Sequence, residues 1–334
     1  MFPGLVALPK LPALDFRIPR WVTEDLTPRS CPFCGMQNAH VLLRPDDLPV
    51  AYCAVCAVWY VASIPGTEGL ERFYQDYWDA FRPARLDART ARFMKRSARR
   101  NASTDLRISR LAAVLGTLRA KRVVDVGCGL GSFLLSLQAA GAEPAGVEIS
   151  RDARDFVQNH LQIPVYRDLS ECLAETGSID AIVMNDLVEH LVTPVDFLKT
   201  VVSALRPEGA LLIWTPNGGA AGTDLDAAHA WVGFRVDLEH LQYLSPRALI
   251  LLAERLGLTV EHVETTGFPG LAGIDRAPKA PSSLRTRIQE VRAAVSSSWA
   301  GPIARGFREA VRPDRNDRTT GTYHLFAIAQ KKAK

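Results

Sequence analysis

The chain has 334 residues, of which 47% are hydrophobic and 23% are charged, a balance typical of a globular protein and not of a disordered or fibrous one. Its net charge of only +4 excludes a global nucleic-acid footprint, so any site for an anionic partner must be local. No apolar run approaches the roughly 20 residues of a membrane-spanning helix, and prolines break the apolar N-terminus, which makes it a poor signal peptide. We therefore expect no transmembrane segment and a cytoplasmic location.

Shifts in pattern divide the chain into four segments. They are an extended lead-in at 1–26, a cysteine-containing module at 27–68, a helical linker or cap at 69–118, and a large domain at 119–334 with an insertion at 267–320. In the large domain, short apolar runs alternate with helical stretches, which indicates parallel βαβ units. The predicted strands are 123–126, 144–148, 180–185, 210–215, 259–265 and 322–330.

The cysteine module contains two Cys-x-x-Cys pairs, Cys31 with Cys34 and, after 18 intervening residues, Cys53 with Cys56. This separation is typical of a zinc ribbon, in which four thiolates complete a tetrahedral shell. Since no coordination position remains for water, we expect a structural zinc ion. Gly35 follows the first pair and provides the backbone freedom that such a turn needs, whereas an alanine, residue 57, follows the second.

The strongest chemical signal is a glycine loop that follows an apolar strand and precedes an apolar helix. It contains Gly127, Gly129 and Gly131, with Asp125 two residues before the first glycine. A dinucleotide fingerprint would need its third glycine at Ser132, so the spacing argues against a pyrophosphate cradle. A carboxylate at the strand end suits the cationic amino group and sulfonium of S-adenosylmethionine (SAM) better.

Glu148 ends the second predicted strand, 17 residues after Gly131. The carboxyl ends of adjacent parallel strands lie side by side, and an acid at this point can accept hydrogen bonds from both hydroxyls of a ribose. We therefore predict that Glu148 binds the nucleoside part of the cofactor.

In combination, these segments resemble the class I SAM-dependent methyltransferases. The resemblance covers about residues 105–265 and rests on 125–131, Glu148, 166–169, 179–186, 189–191, 205–209 and 215–217. It implies that Asp168 and Leu169 contact the adenine and that Asn185 lies near the methionine part of SAM. It also implies an α/β, doubly wound, seven-stranded and mainly parallel Rossmann-like sheet whose last strand is antiparallel. The usual Pro-Gly-Gly turn of the family reads Pro-Glu-Gly at 207–209.

The N-terminal half resembles a subgroup in which a zinc ribbon precedes the methyltransferase domain. The matching features are an aromatic strand at 58–61 and a tyrosine-rich helix at 73–78. Such proteins are often associated with polysaccharide or natural-product modification. The implied function is SAM-dependent methylation, on oxygen, of a small molecule or of a glycan or natural-product precursor. The alternatives are an RNA methyltransferase and a non-catalytic SAM-binding subunit.

The candidate catalytic residues are Asp186, Glu189, His190 and the distant His240. The first three form a D-x-x-E-H pattern that would share one helical face. A similar pattern in ubiquinone-pathway O-methyltransferases and small-RNA 2′-O-methyltransferases implies a divalent ion, Mg or Mn, that would orient the acceptor hydroxyl and lower its pKa. A histidine acting as a general base without metal, or a structural role in fixing the loop, are the alternatives.

Two further segments leave the choice of partner open. Residues 82–110 carry ten Lys/Arg and two acidic residues, which suits either phosphate groups, including those of RNA, or one solvated helix face. Apolar residues recur at helical spacing over 284–311, which predicts packing over the acceptor cleft, a peripheral membrane contact or a homodimer contact. Nucleic acid is the less favoured partner, because the net charge is low.

Overall fold

The computed structural model describes residues 6–14, 17–21, 25–38, 40–75, 77, 81, 84–228, 231–266 and 323–333. The predicted insertion at 267–320, with its apolar pattern over 284–311, lies outside these residues. Within the described part of the chain, none of the helices has both the length and the apolar composition that crossing a bilayer would require.

Fourteen strands and nine α-helices lie within the described residues. The strands are β1 (Val6–Lys10), β2 (Leu26–Pro28), β3 (His40–Leu43), β4 (Pro49–Cys53), β5 (Val58–Val61), β6 (Ser63–Pro65), β7 (Arg122–Val126), β8 (Glu143–Val147), β9 (Val165–Tyr166), β10 (Ile179–Asn185), β11 (Leu205–Pro216), β12 (Gln242–Leu244), β13 (Leu258–Thr266) and β14 (His324–Lys331). The helices are α1 (Thr67–Gln75), α2 (Ala88–Asn101), α3 (Leu106–Leu115), α4 (Ser132–Ala139), α5 (Arg151–Phe156), α6 (Leu169–Thr176), α7 (Pro194–Ala204), α8 (Leu225–Ala228) and α9 (Pro246–Arg255).

The predicted seven-stranded sheet is confirmed, with the order β13-β14-β11-β10-β7-β8-β9. Strands β8, β7, β10 and β11 pair in parallel, whereas β14 is antiparallel to both of its neighbours, β11 and β13. The six predicted strands are all present, with ends that differ by a few residues. The two-residue β9 had no sequence signal of its own, because so short a run shows no periodicity.

Both faces of this sheet are buried, which explains the nearly continuous apolar runs of its central strands. Along β10, Ile182 and Met184 pack in one core cluster, and Ala181 and Val183 pack in another on the opposite face. Successive side chains of a strand point to opposite faces of the sheet, and here both faces are packed in the core. The polar side chains that are left to form a site are therefore those at the strand ends. Asn185, the last residue of β10, is one of them.

The cysteine module does not form a separate sheet. Its strands β3, β4 and β5 lie between β1 on one side and β12 on the other, in the order β1-β3-β4-β5-β12. Strand β12 comes from the large domain and is antiparallel to β5, with Tyr243 opposite Trp59. The sequence suggested a small module appended to the N-terminus, but a three-stranded ribbon leaves an exposed edge, and β12 covers that edge.

Candidate active site

The carboxyl ends of the parallel strands open into one cavity of about 900 Å³. Its lining includes the glycine loop at one end and both predicted histidines at the other. Every candidate catalytic or cofactor-binding residue from the sequence lines this cavity except Glu189 and the glycine at 131. The cavity is therefore where a cofactor and an acceptor would meet, as expected for an open α/β sheet.

The glycine loop adopts a backbone that side chains resist. Gly127, Gly129 and Gly131 have φ values of 76°, 51° and 77°, in the left-handed region that favours glycine. A Cβ atom on Gly127 would also lie 3.1 Å from the side chain of Leu187. The last glycine is the N-cap of α4, so the loop delivers the chain into the helix beside the cavity. Because the backbone at these three positions favours glycine, the spacing of the glycines in the sequence was enough to predict the loop.

Glu148 supports the loop from the adjacent strand end. Its Oε2 accepts a hydrogen bond from the amide of Gly129 at 2.9 Å, and its Oε1 accepts one from the amide of Ser150 at 2.8 Å. Burial raises the pKa of this carboxyl, and the two amide hydrogen bonds oppose the shift. Each oxygen keeps a second lone pair, so the carboxylate can still accept from a ligand hydroxyl.

Asp168 and Leu169 lie at the same end of the cavity, on the turn into α6. Asp168 is the N-cap of that helix, and its Oδ1 accepts a hydrogen bond from the amide of Glu171 at 2.9 Å. The cap fixes the side chain beside the cavity wall. The predicted adenine contact is therefore compatible with its position.

Asp125, Asn185 and Arg107 form a chain of hydrogen bonds across the cavity floor. Asn185 Nδ2 donates to Asp125 Oδ1 at 3.2 Å, and Arg107 Nη1 donates to Asn185 Oδ1 at 3.0 Å. Burial raises the pKa of Asp125 to about 7, although the Arg107 charge and the Asn185 hydrogen bond oppose the shift. The floor thus presents a carboxyl poised between its neutral and ionised forms.

Sequence reasoning missed Arg107, which it had counted among the basic residues of the segment at 82–110. Its guanidinium pairs with Asp105 at 2.8 Å and lies 4.3 Å from the ring centroid of Phe133. The side chain is only 22% exposed and lines the cavity. Nothing in the local sequence distinguishes Arg107 from the exposed cations around it. Its side chain is enclosed only when α3 packs against α4 and β11.

At the other end of the cavity, three of the four predicted catalytic residues come together. The ligand atoms of Glu189, His190 and His240 all lie within 4.8 Å of one another, and the two imidazole centroids are 4.7 Å apart. Asp186 is not part of this group. The expected helical face does not form, because residues 188–190 make only one 3₁₀ turn and Asp186 precedes it in the left-handed region, with φ of 47°.

Glu189 is fully buried beside the two imidazoles. Its Oε2 accepts a hydrogen bond from the Thr215 hydroxyl at 2.9 Å, and its Oε1 has no hydrogen-bond partner among the described residues. Burial raises the pKa of this carboxyl well above its usual range, and the charge of Asp186 adds to the shift. A protonated carboxyl or a nearby cation would each relieve the desolvation of such a group.

Tyrosines from α1 and from the segment after it complete this end, in roles that the sequence did not reveal. The Tyr74 hydroxyl lies 2.9 Å from Nδ1 of His190, and the Tyr77 hydroxyl donates to Oε1 of Glu239 at 3.2 Å. Burial raises the pKa of Tyr74 well above its usual range, with Glu239 adding to the shift, so Tyr74 stays protonated at neutral pH. The resemblance had marked a tyrosine-rich helix here but not these partners.

His324, at the start of β14, is a further wall residue that sequence reasoning did not select. Burial lowers its pKa to about 4, so it is neutral at physiological pH. Its ring lies 5.1 Å from that of Trp214. No sequence signal marked this histidine, because β14 follows the long insertion and reaches the cavity only through sheet pairing.

The four paired cysteines converge at a separate point, as predicted. Their Sγ atoms all lie within 4.8 Å of one another, and those of Cys34 and Cys53 are 3.5 Å apart. A tetrahedral zinc site with bonds of about 2.3 Å would place its sulfurs about 3.8 Å apart, so the group fits a metal ion. Gly35 and Ala57 occupy equivalent turns, both with positive φ, 77° and 53°.

Comparison with known proteins matches residues 78–263 to the family described as "Methyltransferase domain". Similar curated proteins are ubiquinone biosynthesis O-methyltransferases. That of Ralstonia nicotianae is 28% identical over 48% of this chain and 65% of its own length, and that of Alkalilimnicola ehrlichii is 29% identical over 34% and 48%. The chain thus spans about half to two thirds of the length of these relatives.

Among solved structures, a SAM-dependent methyltransferase from Archaeoglobus fulgidus has a TM-score of 0.43 and 24% identity, covering 68% of this chain and 94% of that one. The plantazolicin methyltransferase BpumL, solved with SAH, has a TM-score of 0.44 and 14% identity, covering 79% and 95%.

Proposed function

Since the chain belongs to the methyltransferase-domain family, we propose that it is a SAM-dependent methyltransferase that acts on an oxygen of a small molecule or of a glycan or natural-product precursor. The observation that carries this proposal is the single cavity that joins the glycine loop to the histidine pair. When bound, SAM supplies an activated methyl group. The work left to the protein is to orient two ligands and to remove a proton from the acceptor.

The glycine-loop end fits the parts of SAM. Glu148 retains acceptor capacity for ribose hydroxyls, and Asp168 with Leu169 forms the wall assigned to adenine. Asp125 offers a carboxylate to a cationic amino group, and Arg107 offers a guanidinium to a carboxylate. Opposite charges held side by side are what recognition of an amino acid requires. We therefore extend the predicted cofactor site to include Arg107.

The acceptor end favours a neutral or cationic molecule. Four carboxyl side chains line the cavity outside the glycine loop, from Glu71, Asp186, Asp237 and Glu239, and the guanidinium of Arg107 offsets part of the charge of Asp186. Phosphate or carboxylate groups would be repelled by these charges. A hydroxyl-bearing acceptor with apolar or polyhydroxyl surroundings is the class that this end can accept.

Deprotonation of the acceptor is assigned to the histidine pair. With Nδ1–H of His190 donating to the Tyr74 hydroxyl oxygen, Nε2 is the nitrogen that can take the proton of the acceptor. His240 lies beside that ring and is the second candidate base. In the metal-dependent alternative, Glu189, His190 and His240 would hold Mg or Mn, and the unpartnered Oε1 of Glu189 supports a cation at this point. That ion would lower the pKa of the acceptor hydroxyl.

Two measurements test the function. Titration calorimetry should detect binding of SAM and of its demethylated product. Incubation of the protein with isotope-labelled SAM and a metabolite extract, followed by mass spectrometry, should reveal a labelled product. SAM binding without any labelled acceptor would favour the non-catalytic alternative, and absence of SAM binding would refute the proposal.

The same assay separates the two forms of deprotonation. If a divalent ion is required, EDTA abolishes activity and Mg or Mn restores it. If a histidine acts alone, EDTA has no effect and the rate falls at low pH as the imidazole becomes protonated.

We also propose that Cys31, Cys34, Cys53 and Cys56 hold one structural zinc ion. The spacing of the sulfurs supports it, and burial raises the pKa of the Cys56 thiol to about 11, a cost that a bound cation would remove. Elemental analysis of protein purified without added metal should find about one zinc per chain. A folded, metal-free protein would contradict the assignment.

An RNA methyltransferase remains the second candidate because of one observation. The exposed side of α2 carries five arginines and a lysine, and none of them forms an ion pair with a described residue. Such a stripe suits phosphates. RNA binding whose affinity falls steeply with salt, together with labelled RNA after incubation, would favour it. The carboxylates of the acceptor end argue against it.

A further inference from the structure

Arg44 is a fully buried cation between the cysteine module and the loop that carries His240. It follows β3, and both its side chain and that of Asp46 are 0% exposed. Arg44 Nε donates to Asp46 Oδ1 at 3.0 Å, and Nη2 donates to Oδ2 at 2.5 Å. Removing two ions from water is costly, so a pair that only filled space would be replaceable by apolar residues.

The rest of the guanidinium reaches the loop at 238–243. Nη1 donates to the backbone oxygen of His240 at 2.6 Å and lies 2.8 Å from the Tyr243 hydroxyl, and Nη2 donates to the backbone oxygen of Leu238. These carbonyls lie on both sides of Glu239. One planar cation therefore fixes the backbone of Glu239 and His240, the two residues that line the acceptor end from this loop.

We call the contacts of Arg44 with the loop at 238–243 the Arg44 clamp. Further hydrogen bonds connect this loop to the turn that contains His190. Arg29 Nη2 donates to the backbone oxygen of Leu241 at 2.6 Å, on the same loop. Gln242 Nε2 donates to the backbone oxygens of Val188 and Leu191, at 2.5 and 2.8 Å, and so holds the turn that contains His190. Neither Arg44 nor Arg29 lines the cavity.

We propose that Arg44 is a positioning residue for His240, and that the cysteine module is through it a working part of the acceptor site. The inference rests on the proposed function, because that function assigns His240 to the acceptor. It predicts that loss of the clamp displaces His240 while SAM still binds, since the glycine loop lies at the opposite end of the cavity.

The main test variant is Arg44→Met combined with Asp46→Leu, which removes both buried ions and keeps an apolar interior of similar volume. The matched control is Asp47→Asn, which breaks an exposed ion pair with Lys10 in the same turn without touching the loop. The probes are SAM in titration calorimetry and the imidazole ¹H–¹³C NMR signals of the protein, assigned with His240→Gln. We expect the double variant to bind SAM as wild type does and to show displaced His240 signals, and the control to show neither change.

Turnover provides a second readout once an acceptor is identified. The double variant should lower kcat by about tenfold, the size of one lost charged hydrogen bond, without changing KM for SAM. Arg44→Lys keeps a cation within reach of one carbonyl and should recover part of the loss. If the double variant fails to fold, the turnover and the His240 signals of this single variant test the proposal.

The proposal is overturned if His240 signals and turnover are unchanged in a folded variant without the clamp. It is also overturned if SAM affinity falls in parallel with turnover, since Arg44 would then support the fold as a whole. The NMR measurement needs no acceptor. Its failure is therefore distinguishable from a failure of the proposed function, which would appear as wild-type protein that binds no SAM or labels no acceptor.

Discussion

The two ends of the cavity are built in different ways. The cofactor end comes largely from one βαβ unit, in which Gly127, Gly129 and Glu148 follow one another along β7, α4 and β8. The acceptor end is assembled from distant segments, with Tyr74 before the large domain and His324 after its insertion. The first end contains a backbone loop with positive φ values, whereas the second depends on side chains from distant segments that form hydrogen bonds with one another.

This difference predicts how each end responds to change. A backbone loop with positive φ values is determined locally, so substitutions there should alter SAM affinity and little else. The acceptor end depends on long-range hydrogen bonds such as that of Tyr74 with His190, so substitutions there should alter turnover while SAM still binds. The following variants test that separation.

The largest effect is expected for His240→Ala. Loss of a general base or of a metal ligand should lower turnover by about 10²–10⁴-fold, while SAM affinity stays close to that of wild type. Steady-state kinetics and titration calorimetry measure the two quantities. His160→Ala, a histidine that does not line the cavity, is the control and should change neither. Full turnover in His240→Ala and in His190→Ala would leave only a structural role for both residues.

Glu148→Gln should act at the opposite end. The amide group would place an N–H against the backbone N–H of Gly129 or of Ser150, both of which now donate to the carboxylate. Loss of a charged hydrogen bond of about 1.5–3 kcal/mol should weaken SAM binding by about 10- to 150-fold. Glu143→Gln, on the exposed start of β8, is the control. Unchanged SAM affinity in a folded Glu148→Gln protein would rule out the ribose contact.

Asp125 should make SAM binding depend on pH. Because burial raises the pKa of this carboxyl to about 7, it is mostly protonated below neutrality, and binding of a cationic amino group would then release its proton. As the pH is raised toward 7, the affinity for SAM should increase by up to about tenfold per pH unit, and above pH 7 it should stay constant. Calorimetry in buffers of different ionisation enthalpy would detect the proton. If Asp125→Asn keeps the same pH profile, another group is responsible.

The smallest effect concerns the cysteine module. Ala57 has φ of 53°, a conformation that costs a side-chain-bearing residue about 1 kcal/mol, so Ala57→Gly should raise the free energy of unfolding by up to that amount. Gly35→Ala, at φ of 77° with no atom within 4 Å of the new Cβ, should lower it similarly. Chemical denaturation measures both. If the free energy of SAM binding in these two variants changed as much as their free energy of unfolding, the cysteine module would support both ends of the cavity.

Local patterns were sufficient for the sheet and for the cofactor loop. The apolar runs of β7, β8, β10 and β11 alternate with helices, and burial on both faces leaves such strands no other arrangement. The same local logic was misleading for Asp186. Its spacing from Glu189 and His190 suggested one helical face, but a positive φ at Asp186 and a single 3₁₀ turn place it outside the group.

The sequence by itself predicted the sheet, the glycine loop and the paired cysteines, because strand periodicity, glycine turns and cysteine spacing are constraints that act within a few residues of chain. Only the tertiary structure decided how they are held. Arg107 was counted among the basic residues of the segment at 82–110, and neither the role of Arg44 nor β12 was predicted from the sequence. Their roles depend on partners nearly 200 residues away for Arg44 and 78 residues away for Arg107. A charged side chain holds other groups in place only where folding excludes water and brings hydrogen-bond acceptors within its reach.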